Sequence, residues 1–220
     1  MIVLKPHAIP CLVVHPYPSN RYATTPELRE LQQLTYSLKG TGAPGTAEPR
    51  TKEFVALLQR SSTAKDFFPA GAALVPVPTS RVTTLPANTE SWAGFRIARA
   101  LYVAGLGSSV VTALRRSTEV ASSHRASPGS RPTVAEHVNS LVCDLTGLEA
   151  KDVVLVDDVL TRGSTFAACL LRLRSAGYRG SVRAVACCYT AEPPFMLPAS
   201  PRGGSVNYVE GATGATRDLS

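Results

Sequence analysis

Val153-Val154-Leu155-Val156 runs straight into Asp157-Asp158, and this stretch constrains the fold more than any other. Four consecutive apolar residues, three of them β-branched, read as a strand buried on both faces, the kind found inside a parallel sheet covered by helices. Asp157 to Ser164 reads as a polar turn; Phe166, Cys169, Leu170 and Leu173 then keep helical spacing until Gly177. Val182 to Cys188 supplies the next strand. Upstream, Ala73-Leu74-Val75 ends at Pro76 and Pro78, Ala93, Ile97 and Leu101 mark a helix from about 90 to 104, and Ser109 to Ala113 reads as a strand. This alternation predicts an α/β fold: a mostly parallel twisted sheet with helices on both faces and ligands at the carboxyl ends of the strands.

The flanks divide the chain into three parts. Residues 1–70 are expected as an N-terminal helical segment, or hood, packed on a core of 71–190. Thr25-Pro26-Glu27 opens its first helix, Leu28, Leu31, Leu34, Thr35 and Leu38 give it an apolar face, and Lys39-Gly40 stops it. A second helix is expected from Thr51 to Arg60. Arg115 to Arg131 is polar and is expected as a mobile loop, while Val138 to Cys143 reads as a strand or, through Thr133-x-x-Glu136, as the sequel to a capping box. Residues 191–220, rich in Pro and Gly, are expected as a lid over the site or a loose tail.

With 44% hydrophobic and 18% charged residues, a wholly disordered chain is excluded. The formal net charge is +7, and 18 of the 23 basic residues are Arg, whose planar fork suits phosphate. A phosphorylated small molecule is the natural partner, with nucleic acid second. The sequence contains no apolar run of the roughly 18 residues needed to cross a membrane and nothing resembling a targeting segment, so a cytoplasmic protein is expected. The five cysteines include no C-x-x-C pair, which excludes a zinc ribbon and a disulfide framework.

The chemistry follows from Val153 to Thr165. A buried strand carries two adjacent carboxylates to its carboxyl end, and because strand side chains alternate, Asp157 and Asp158 take different roles. Thr161-Arg162-Gly163-Ser164-Thr165 then leads into a helix. Its first turn offers unpaired N–H groups and the positive end of the helix dipole, worth roughly 0.3–1 kcal/mol to an anion, and Gly163 allows close backbone approach. A phosphate cradle beside two acids fits a sugar phosphate whose ribose hydroxyls meet the acids.

These residues resemble the signature of the type I phosphoribosyltransferases, a hydrophobic strand, two acids and a Thr/Gly-rich loop that binds 5-phosphoribosyl 1-diphosphate (PRPP). With Tyr36-Ser37-Leu38-Lys39-Gly40, Val75-Pro76-Val77-Pro78 and Arg81, Gly94-Phe95, and Arg115-Arg116-Ser117, the resemblance narrows to the ComF-type branch and covers Tyr36 to Tyr189. The four-cysteine zinc element of that branch has no counterpart here, since Cys11 alone precedes Cys143.

The resemblance implies that Asp157 and Asp158 hold the ribose hydroxyls directly or through Mg2+, that Thr161, Arg162, Gly163, Ser164 and Thr165 wrap the 5-phosphate, and that Thr79, Ser80 and Arg81 contact the diphosphate. Arg162 either reaches a phosphate or points to solvent. Arg115, Arg116 and Arg125 would sit on a flexible lid that neutralises departing diphosphate. Thr161 stands where 6-oxopurine enzymes of the superfamily place an aspartate base, which argues against hypoxanthine or guanine as acceptor. The implied activity is magnesium-dependent transfer of the phosphoribosyl group to an unidentified nitrogenous base or amine, by a homodimer. The alternative is a non-catalytic protein that senses PRPP or a nucleotide, or handles single-stranded DNA.

Overall fold

The computed structural model describes residues 6–19, 21–43, 45–82, 92–121, 131–194 and 200–219. The elements run β1 (Pro6–Pro18), α1 (Pro26–Lys39), α2 (Ala47–Arg60), α3 (Ser62–Phe67), β2 (Ala73–Pro76), α4 (Ala93–Val103), β3 (Ser109–Val110), β4 (Leu114–Arg116), α5 (Val134–Ser140), β5 (Leu141–Cys143), β6 (Asp152–Leu160), α6 (Ser164–Ser175), β7 (Ser181–Ala191), β8 (Arg202–Val209) and β9 (Thr216–Asp218). Seven strands form one sheet in the order β3-β2-β6-β7-β1-β8-β9, and β4 pairs with β5 in a separate two-stranded sheet. The five strands from β3 to β1 are parallel; β8 and β9 are antiparallel additions.

Strand alternation divides the core into two layers. Val153 and Leu155 of β6 pack with Phe166, Cys169, Leu170 and Leu173 of α6 on one face. Val154 and Val156 pack with Leu38, Phe54, Leu58 and Ile97 from α1, α2 and α4 on the other. Each such side chain, fully removed from water, contributes about 1.5–3 kcal/mol. The expected α/β class, mostly parallel with helices on both faces, is present.

Chain direction places the site. From β2 the chain crosses through α4 to β3 at one edge; from β6 it crosses through α6 on the opposite face to β7. The boundary between β2 and β6 is therefore where the winding reverses, and in open α/β sheets the crevice outside such a boundary receives the ligand.

Several elements differ from expectation. β1 lies in the sheet between β7 and β8 although it contains Pro6, Pro10, Pro16 and Pro18. Its prolines are tolerated because pairing with β8 covers Pro6 to Val13 and pairing with β7 covers Cys11 to Pro18, so each proline has a strand on one side only. β6 does not end at Val156: Asp157 pairs with Ala186, Val159 with Cys188 and Leu160 with Tyr189, so the expected turn begins after Leu160. Residues 202–209 and 216–218 extend the main sheet and are neither a lid nor a loose tail. The capping box at Thr133 and Glu136 forms and opens α5, with β5 following it. Among the described residues no helix is long and apolar enough to cross a membrane.

Candidate functional site

A cavity of about 860 Å³ opens at the carboxyl ends of β2 and β6. Asp157, Asp158, Thr161 and Thr165 line one wall, Thr79, Ser80 and Arg81 another, and Lys39, Gly40 and Thr41 a third. The third wall follows from how α1 ends. Thr25 accepts the Leu28 N–H at its start, and at its end Gly40, with φ of 76°, donates to the Ser37 carbonyl at 2.9 Å. Arg96 of α4 donates to the Leu38 carbonyl and fixes that end of α1 over the strands.

Asp157 and Asp158 are half-buried at the end of β6. The Asp158 amide donates to Asp157 Oδ1 at 2.8 Å. Burial first, and then the charge of Asp158, push the Asp157 carboxyl well above the usual carboxylate range; Lys39 acts in the opposite direction. An acid held this way favours a bound cation or a hydroxyl donor. Two adjacent carboxylates are hard oxygen ligands suited to Mg2+, which takes one or two protein carboxylates and completes its shell with phosphate oxygens and water. Among the described residues there is no cluster of three or more His, Cys, Asp or Glu.

The loop after β2 turns its carbonyls inward. Trp92 Nε1 donates to the Val77 carbonyl at 2.6 Å, Arg116 Nε to the Thr79 carbonyl at 2.7 Å, and the Val120 amide to the Ser80 carbonyl at 3.0 Å. The Arg81 amide is taken by Thr79 Oγ1 at 3.3 Å. With these carbonyls engaged, the Thr79 and Ser80 N–H groups have no protein partner among the described residues. Thr79, Ser80 and Arg81 all line the cavity at this loop.

Gly94 allows α4 to begin close to this loop. A Cβ there would sit 3.2 Å from the Val77 carbonyl oxygen of the loop and 2.8 Å from that of Val156 on β6.

The turn into α6 is built around Gly163, whose φ of 94° favours glycine and whose Cβ, if present, would lie 2.4 Å from Val206 Cγ1. The N–H groups of Ser164, Thr165 and Phe166 open the helix, where intrahelical partners are lacking. Thr161 and Thr165 line the cavity, whereas the Ser164 hydroxyl accepts the Ala215 N–H at 3.4 Å from the β8–β9 turn. Arg162 is exposed and outside the cavity wall, the solvent-facing one of its two alternatives.

The lid arginines separate. Arg116, expected on a flexible loop, is buried on β4, with Nη1 donating to Ser140 Oγ in addition to its bond to Thr79. It lines the cavity as a fixed strut, because pairing of β4 with β5 removes it from the loop. Arg115 pairs with Val142, and the strand pleat turns it to the other side. Arg125 lies outside the described residues.

Sequence reasoning overlooked Tyr17, Thr41 and His137, all on the cavity wall. Lys39-Gly40 was readable only as a helix stop. His137 directly follows the capping-box Glu136, and nothing in its spacing distinguishes it from a core histidine. The buried Cys169 and Cys188 thiols are each pushed up to about 12 by desolvation, which leaves them inert. No protein-family model and no curated protein matches the chain.

Proposed function

We propose that the protein binds PRPP with Mg2+ and transfers its phosphoribosyl group to a nitrogen acceptor, on a fold of the type I phosphoribosyltransferase kind. The observation that carries this reading is the meeting, in one cavity, of Asp157 and Asp158, Thr161 and Thr165 at the start of α6, and the loop of Thr79, Ser80 and Arg81. An anion-binding helix start, paired acids and a second anion-binding wall match the 5-phosphate, ribose and diphosphate of one ligand.

In this reading Thr161, Thr165 and the first N–H groups of α6 hold the 5-phosphate. Asp157 and Asp158 accept hydrogen bonds from the ribose hydroxyls and are the residues that would hold Mg2+, which when bound offsets negative charge on the diphosphate. The Thr79 and Ser80 amides and the Arg81 guanidinium stabilise the charge that accumulates on diphosphate as the C1–O bond breaks and the acceptor nitrogen attacks C1. Little covalent chemistry falls to the protein; alignment of the acceptor with C1 supplies much of the rate.

The test is release of diphosphate from PRPP, in magnesium buffer, across a panel of nitrogenous bases and amines. Acceptor-dependent release supports the reading. PRPP binding with no release for any acceptor would replace it with a sensor.

A further inference from the structure

His137 is 3% exposed and lines the cavity, yet neither Nδ1 nor Nε2 has a hydrogen-bond partner among the described residues. Its backbone is fully used: the amide donates to the Thr133 carbonyl at 3.1 Å, and the carbonyl accepts from Ser140 Oγ at 2.8 Å. The ring alone is unspent. A buried donor or acceptor without a partner costs about 1–3 kcal/mol, so two on one side chain form an expensive feature that a ligand can relieve.

The position of the ring tells which part of a ligand. Ser140, on the same short helix, takes a hydrogen bond from Arg116, and Arg116 holds the Thr79 carbonyl. Through Ser140 and Arg116, His137 is thereby tied to the side of the cavity occupied by the Thr79–Arg81 loop. Desolvation first, and Arg116 second, lower its pKa to about 4, with Glu136 opposing; the ring is neutral at pH 7 and carries one N–H donor. A neutral donor beside a buried arginine suits an anionic oxygen without adding a second buried cation.

We infer that His137 contacts the ligand in the diphosphate half of the cavity, its ring N–H donating to a phosphoryl oxygen beside Thr79 and Ser80. The inference rests on the phosphoribosyl reading and extends it to a residue outside the motifs.

The experiment is calorimetric titration of magnesium diphosphate, PRPP and ribose 5-phosphate into wild type, His137→Leu and His137→Gln, with thermal unfolding as the fold control. Loss of one hydrogen bond to a charged group predicts about tenfold weaker binding of diphosphate and PRPP to His137→Leu, unchanged ribose 5-phosphate, and substantial recovery in His137→Gln, which keeps a donor. Equal diphosphate affinity in wild type and His137→Leu would overturn the assignment and leave the phosphoribosyl reading standing. Wild type that binds neither PRPP nor diphosphate would overturn both. Should His137→Leu not fold, the ring 15N resonances of wild type decide: diphosphate must shift those of His137 and not those of the other buried histidine, His15, which does not line the cavity. Unmoved His137 resonances, the result expected if water alone serves the ring, would overturn it.

Discussion

Arg116 Nε donates to the Thr79 carbonyl at 2.7 Å, joining the β4–β5 pair to the loop after β2 across 37 residues of sequence. The same guanidinium reaches Ser140, so one buried side chain orients two segments that line the cavity. Arg116→Met strands the carbonyl and the hydroxyl and is expected to cost about 1–3 kcal/mol in chemical denaturation. Arg116→Lys is expected to recover little of it, because an ammonium cannot reproduce the planar fork. Full stability in Arg116→Lys would show that the fork geometry is not used.

A second prediction concerns the turn into α6. Gly163→Ala places a methyl against Val206 and an L side chain at φ of 94°, so it destabilises the fold and weakens PRPP binding together. Val206→Ala alone leaves a void in a fully buried position. The double variant removes the clash while keeping the backbone strain; its loss is expected to fall short of the sum of the two singles. Strict additivity in denaturation would mean that the contact with Val206 does not limit residue 163.

Acid sensitivity has a defined window. Burial lowers the pKa of both His15 and His137 from the usual 6.5 to about 4 in the folded protein. Between these values the unfolded chain binds protons on these two groups that the folded protein does not, so their contribution to stability is full above pH 6.5 and is lost as pH falls towards 4. Each histidine contributes a loss of about 3 kcal/mol over that range. Thermal unfolding between pH 7 and pH 4.5 should show the decline, and His15→Phe should flatten it. An unchanged slope in that variant would remove His15 from the account.

Strong local patterns made part of this molecule readable. Val153 to Val156 could only be a buried strand, and Thr25-Pro26 with Gly40 set both ends of α1 as expected. β1 escaped notice because four prolines argue against an interior strand, and only the staggered pairing with β7 and β8 reconciles them. β8 escaped because Arg202-Gly203-Gly204-Ser205 has no apolar alternation; it is held by backbone pairing with β1. At the site, Asp157 and Asp158 stood out as adjacent acids after an apolar strand, and the structure puts both on the cavity wall. Arg116 was placed on a loop since β4 is three residues long and its partners lie 25 to 29 positions away. His137 was illegible because ring nitrogens without a partner among the described residues are a property of packing and not of spacing.

The central claim is that Asp157 and Asp158 complete a magnesium-dependent PRPP site. Its most direct test is calorimetric titration of PRPP in magnesium buffer into wild type and the Asp157→Asn/Asp158→Asn variant. The account predicts saturable binding to wild type, none to the variant, and a variant at least as resistant to heat, since a half-buried acid pushed well above its usual pKa is a burden on the fold. Equal PRPP affinity in the two proteins would contradict it.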